Sequence, residues 1–138
     1  MRRLNNCLEN KKYFNIPIWF MRQAGRYLSE FREIRKNNPD FINLCLNPEL
    51  VSKITQQPMK RFDLDALIVF SDILLIPYGL GQKVIFEKNF GPKLSDFNLD
   101  EILKCEETDF INKISPAYKG LELIKKEMDY KNKSLIGF

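Results

Sequence analysis

Arg22, Arg26 and, further along the chain, Asp72 are the side chains of this sequence best placed by type and spacing to do chemistry. The two arginines frame Arg22-Gln23-Ala24-Gly25-Arg26-Tyr27, a small-residue stretch with two guanidinium groups, each able to grip an oxyanion through paired N–H donors. Asp72 follows Phe70 and Ser71 inside Leu64–Pro77, the most apolar run of the chain, where an ionised carboxylate is costly to bury unless something pairs with it. Together these residues could hold an anionic molecule, accept hydrogen bonds from its N–H groups, or stabilise positive charge developing on it. On residue pattern alone a plainer account fits them better: solvated surface arginines, and an aspartate that closes a turn. The chain contains no histidine, so the commonest general base and metal ligand is missing and any chemistry rests on carboxylates, Arg, Lys, Tyr or Cys.

Other candidates carry less. Cys7, Cys45 and Cys105 are odd in number, far apart and in no C-x-x-C pair, which supports neither a disulfide framework nor a zinc site and fits a reducing cytoplasm. Cys45 falls on an apolar helical face and reads as core. Gly79-Leu80-Gly81 lacks the third glycine and the following helix of a dinucleotide loop. Lys125, Lys126, Lys131 and Lys133 alternate with Glu122, Glu127 and Asp129, the pattern of a solvated helix face and turn.

The elements that must position the site follow from the apolar patterning. Ile16–Met21, β-branched and aromatic residues around Pro17, predicts a first buried strand that delivers Arg22 and Arg26 at its end. Ala66–Phe70 predicts a second that delivers Asp72. In a parallel α/β architecture, ligands gather at such C-terminal strand ends. Residues 1–15 suit a short helix or arm. Ser29 reads as the cap of a helix with Phe31 and Ile34 inward that stops at Asn37-Asn38-Pro39, and Asp40 as the cap of a short one holding Phe41, Leu44 and Cys45. Asn47-Pro48 opens a longer helix that buries Val51, Ile54 and Phe62, with Pro58 expected to kink or divide it. Lys83–Glu87 predicts a strand, residues 89–92 a turn, and residues 98–113 a helix. A second helix is expected to open at Ser115-Pro116, followed by a polar turn over 129–133 and a strand from Ser134.

The 138 residues, 44% hydrophobic and 12% aromatic, are globular in composition and enough for one domain or part of one. A net charge of +4 tilts the partners towards anions without demanding nucleic acid. The basic N-terminus lacks the apolar core of a signal peptide, and the longest apolar run is too short to span a bilayer, so the sequence reads as a soluble cytoplasmic chain. Strand, helices, strand, excursion, helices, strand is the grammar of a parallel α/β sheet. A final strand with no helix after it leaves an edge and a face bare, which predicts a domain cut within itself.

Pro17-Ile18-Trp19-Phe20-Met21-Arg22-Gln23-Ala24-Gly25-Arg26-Tyr27-Leu28 closely resembles the N-terminal signature of the uroporphyrinogen decarboxylases, and Phe70-Ser71-Asp72-Ile73-Leu74 resembles their second motif. Arg61-Phe62, Leu80-Gly81, Gly91-Pro92 and Leu135-Ile136-Gly137-Phe138 fall in register, so the resemblance covers nearly the whole chain. It implies a (β/α)8 TIM barrel of which residues 1–138 supply the N-terminal part, about three strands, since a barrel takes about 250 residues. It further implies a homodimeric enzyme of haem synthesis, with no metal or organic cofactor, that decarboxylates the four acetate side chains of uroporphyrinogen III to give coproporphyrinogen III. By the same resemblance Asp72 accepts hydrogen bonds from the pyrrole N–H groups. Arg22 and Arg26 bind substrate carboxylates, the Gln23-Ala24-Gly25 backbone shapes the loop, and Arg35 also reaches the substrate. The rival expectation is a truncated, non-catalytic remnant that binds a tetrapyrrole or a partner. Two positions depart from the family pattern: Ser29 replaces a proline, and Asn89 stands where glycine is common.

Overall fold

A computed structural model of the chain describes residues 2–10, 15–87, 90–96, 98–128 and 132–137. Helix starts follow side-chain caps where the sequence offers good ones. After α1 (Arg3–Asn10) and α2 (Ser29–Asn37), Asp40 Oδ1 accepts the Asn43 N–H at 3.0 Å to open α3 (Phe41–Cys45). Asn47 Oδ1 accepts the Leu50 N–H at 3.0 Å to open α4 (Pro48–Arg61), with Pro48 in the first turn, where its missing N–H costs nothing. Pro58 does not divide α4, which runs on to Arg61. Ser29 does not cap α2; its hydroxyl bonds Glu30 and accepts from Arg61, whose guanidinium also grips Glu30 at 2.7 Å and so ties α2 to α4.

Strand β1 (Ala66–Ile68) pairs in parallel with β4 (Ser134–Ile136), Ala66 opposite Ser134 and Ile68 opposite Ile136. β1 is shorter than the expected Ala66–Phe70, although the Val69 N–H still reaches the Ile136 carbonyl at 3.0 Å. Between them come α5 (Leu75–Gly79), an antiparallel hairpin of β2 (Val84–Glu87) and β3 (Gly91–Leu94), α6 (Leu99–Leu103) and α7 (Glu107–Glu127). β3 lies partly where only a turn was expected; Asn89 falls outside the described residues. This is an α/β arrangement with many helices and few strands.

Three expectations need correction. Ile16–Met21 forms no strand: Pro17 has no N–H to give a ladder, and Ile16 and Met21 remain 79% and 77% exposed. Its hold on the sheet is Asp65, whose N–H donates to the Ile18 carbonyl and whose carboxylate accepts the Ile18 N–H, both at 2.8 Å. The helix break falls at 104–106 rather than at Ser115-Pro116, which lies inside α7. A proline there deprives the Asn112 carbonyl of its helical donor, and the Ser115 hydroxyl supplies one instead at 3.0 Å. Phe62, expected in the core, is 41% exposed because α4 ends one residue earlier.

Packing between α4 and α7 forms the largest helix contact, and at its crossing Gly120 lets the backbone of α7 approach Val51. A side chain there would have to displace Val51, since a Cβ on Gly120 would sit 2.9 Å from Val51 Cγ1. Val51, Leu67, Val69, Ile124 and Met128 form one buried cluster, Leu28, Phe31, Ile34, Leu44 and Ile54 a second, and Ile42, Cys45 and Leu75 a third. Phe70 packs against all three, edge-on to Phe31 at 5.8 Å and to Phe41 at 6.0 Å. The residue before Ser71-Asp72 is therefore the hub of the core. Among the described residues no helix is long and apolar enough to cross a membrane.

Candidate functional site

Beyond residues 16–20 the chain folds into a compact loop that carries both arginines. The Leu28 N–H donates to the Gly25 carbonyl at 3.0 Å, the Tyr27 hydroxyl donates to the Gln23 carbonyl, and Arg32 donates to the carbonyls of Arg26 and Tyr27 at 2.8 and 3.2 Å. Leu28, 1% exposed, anchors the far end in the core beside Phe31. The Gln23 carboxamide is buried against β1, donating to the Ala66 carbonyl at 2.9 Å and accepting the Ile68 N–H at 3.0 Å.

Residues 21–27 form one wall of a cleft of about 580 Å³, and Ile68-Val69-Phe70-Ser71, the C-terminal end of β1, forms the other. Arg22 and Arg26 are exposed on this wall, and among the described residues neither guanidinium meets a carboxylate or a carbonyl. Two exposed cations that meet no anion among the described residues, facing the end of β1, leave their N–H donors available to a ligand.

Asp72 is half-buried at the next turn of chain. Its Oδ1 accepts the Leu74 N–H at 2.8 Å and its carbonyl accepts the Leu75 N–H at 3.1 Å, which opens α5. The plainer account of a turn-closing aspartate is thus correct as far as that oxygen goes. The other oxygen, Oδ2, has no hydrogen bond and no cation among the described residues. Asp72 lines an adjoining pocket of about 240 Å³, walled by Ile73, Ile76, Ile114 and Tyr118, and Ser71 belongs to both cavities.

Arg35 is not brought into the cleft lining. Its guanidinium donates to the carbonyls of Asn38 and Pro39 at 2.5 and 2.8 Å and stacks 5.1 Å from the Phe41 ring centroid, closing the end of α2. Arg35 and Asp72 do share a neighbour, Cys45. Burial, then the Asp72 charge, pushes the Cys45 thiol up to about 12 against the opposing pull of Arg35, so it stays protonated core. Among the described residues no cluster of three or more Cys, Asp or Glu side chains could hold a metal ion.

Two contributors escaped sequence reasoning. Thr55, buried in α4, accepts the Phe70 N–H through Oγ1 at 2.9 Å and fixes the strand end; a lone threonine on an apolar helix face is the only signal it leaves. The Gln23 side chain was expected to matter only through its backbone.

The model of one protein family, described as uroporphyrinogen decarboxylase, matches residues 1–138. The chain belongs to the uroporphyrinogen decarboxylase family. Relatives bearing that name include one from Caulobacter vibrioides (strain NA1000 / CB15N), 47% identical over 133 residues, 96% of this chain and 38% of the relative. One from Chelativorans sp. (strain BNC1) is 43% identical over 137 residues, 99% of this chain and 40% of the relative. One from Brucella ovis is 39% identical over 137 residues, with the same coverage. The chain therefore spans about 40% of the length of these uroporphyrinogen decarboxylases.

Proposed function

We propose that this chain is the N-terminal portion of a single (β/α)8 barrel domain that removes carboxyl groups from the acetate side chains of uroporphyrinogen III, giving coproporphyrinogen III in haem synthesis. The observation that carries the reading is the cleft at the end of β1, where Arg22 and Arg26 meet no protein anion among the described residues in a chain of this family. The reading assigns the two arginines to substrate carboxylates, since each can bind one bidentately, with the Gln23-Ala24-Gly25 backbone forming the floor between them.

Loss of carbon dioxide leaves an electron pair that needs a sink. A pyrrole protonated at carbon supplies one as a cation, so the substrate brings its own electron acceptor. A fixed carboxylate against the ring N–H groups stabilises that cation more than it stabilises the neutral ground state, which lowers the barrier. Asp72 takes this role: the Leu74 N–H holds Oδ1 in place while Oδ2 has no partner among the described residues. Arg35, with its donors on carbonyls 38 and 39, serves mainly to fix the turn beside Phe41 and reaches substrate only if it releases them. A cytoplasmic homodimer completes the proposal.

The test is carbon dioxide release from uroporphyrinogen III by this chain, alone and mixed with the separately produced remainder of the Caulobacter relative. Release is expected only in the mixture, and Asp72→Asn should lower it at least about 100-fold. Undiminished release with Asp72→Asn removes Asp72 from the mechanism. Release by the chain alone overturns the assignment to a portion of the catalytic unit. Substrate binding with no release in either case favours the rival reading, a non-catalytic tetrapyrrole-binding module.

A further inference from the structure

We infer that the Gln23 side chain is a positioning residue, an amide latch that takes the place of a strand neighbour opposite Leu67 and so holds both arginines in register with the strand that leads to Asp72. In a parallel ladder, the residue facing Leu67 would donate its N–H to the Ala66 carbonyl and accept the Ile68 N–H. The Gln23 carboxamide makes both bonds, at 2.9 and 3.0 Å, from a position 3% exposed. The Asp65 carbonyl and the Val69 N–H, of opposite parity, turn the other way and bond β4. The expected strand at 16–21 is therefore replaced at this point by one side chain. Tyr27 closes on the Gln23 carbonyl and Arg32 on those of Arg26 and Tyr27, so the cation-bearing loop is referenced to β1 through this residue.

Glutamine alone among the residues of this size offers one donor and one acceptor at that reach; Glu lacks the donor, Met lacks both, and Asn is a methylene short. The inference rests on the proposed role of the arginines and deepens it, and it withdraws the Gln23 side chain itself from contact with substrate.

The experiment measures amide exchange at Ile68 and Val69, and anaerobic binding of uroporphyrinogen III followed by the fluorescence of Trp19. The proteins are the intact chain, Gln23→Met and Arg22→Met. Gln23→Met should speed exchange at Ile68 by about tenfold or more while Val69, held by Ile136, stays protected, and should weaken binding about tenfold although both arginines remain. Arg22→Met should weaken binding and leave Ile68 exchange unchanged. Binding by Gln23→Met equal to the intact chain, or unaltered Ile68 exchange, overturns the latch. Should Gln23→Met also lose protection at Val69, the intact chain decides, because buried and bonded Gln23 carboxamide protons exchange slowly, and fast exchange overturns the proposal. Absence of uroporphyrinogen binding by the intact chain counts against the arginine reading, while the exchange measurements still judge the latch.

Discussion

Gly120→Ala tests the packing that sets the β1–β4 pair, because α4 leads into β1 and α7 leads into β4. The new Cβ would lie 2.9 Å from Val51 Cγ1, closer than carbon atoms tolerate, and 3.1 Å from Val51 Cβ, a tight contact relieved by a small shift, and Val51 is 1% exposed. Overpacking of this kind costs about 1–3 kcal/mol. Against it stands the better helix propensity of alanine, about 1 kcal/mol. The net expectation is a loss of about 1 kcal/mol, within a range of about 0–2 kcal/mol. Val51→Ala removes Cγ1 and by itself costs about 1–3 kcal/mol for two buried methyl groups. In that background the clash is largely gone and Gly120→Ala should stabilise by up to about 1 kcal/mol, so its effect changes sign. Urea unfolding of the four proteins measures the cycle, with a coupling of about 1–2 kcal/mol expected. Gly120→Ala that stabilises the parent chain by the full propensity gain, or effects that simply add, would refute the close crossing of α4 and α7.

Two further outcomes follow from groups away from the cleft. The Arg61 hydrogen bond holds the Glu30 carboxyl down at about 2 from an ordinary 4.5, so the pairing of α2 with α4 is fully present above pH 4.5 and is lost as pH falls towards 2. Glu30→Gln should abolish that part of the acid sensitivity in unfolding midpoints measured across this window, and an unchanged pH profile would contradict the assignment. The buried Gln57 carboxamide has no hydrogen-bond partner for either polar atom among the described residues. Gln57→Met should therefore raise stability by about 1–2 kcal/mol in the same assay, whereas a loss of that size would show that the carboxamide is satisfied in solution.

The helices were legible where a cap and a periodic face agree, as at Asp40 and Asn47, because those signals act within a few residues. Signals that depend on distant partners misled. Ile16–Met21 has the composition of a strand, but a strand exists only by its ladder, and here Ile18 meets only Asp65 while the Gln23 side chain takes the β1 edge beyond it. Ser115-Pro116 has the composition of a helix start, yet a hydroxyl bond to the Asn112 carbonyl lets the helix pass through it. α5 and β3 were missed because each is short and fixed by its neighbours, the first by the Asp72 turn and the second by β2. Of the candidate site, Arg22, Arg26 and Asp72 were expected together; the structure puts the two arginines on one cleft with Phe70 and Ser71, and Asp72 in the adjoining pocket that shares Ser71. The Gln23 latch and Thr55 could not, since both act through backbone groups of a strand far along the chain.

The central proposal is that Arg22 and Arg26 of this cleft bind the carboxylates of a tetrapyrrole, and calorimetric titration with uroporphyrinogen III under nitrogen tests it most directly. Each charge-assisted pair contributes about 1.5–3 kcal/mol, so removing both arginines as Arg22→Met/Arg26→Met should weaken binding by roughly two to four orders of magnitude. That loss, with the heat of unfolding unchanged, is the predicted result. Equal affinity of the double variant and the parent chain would contradict it.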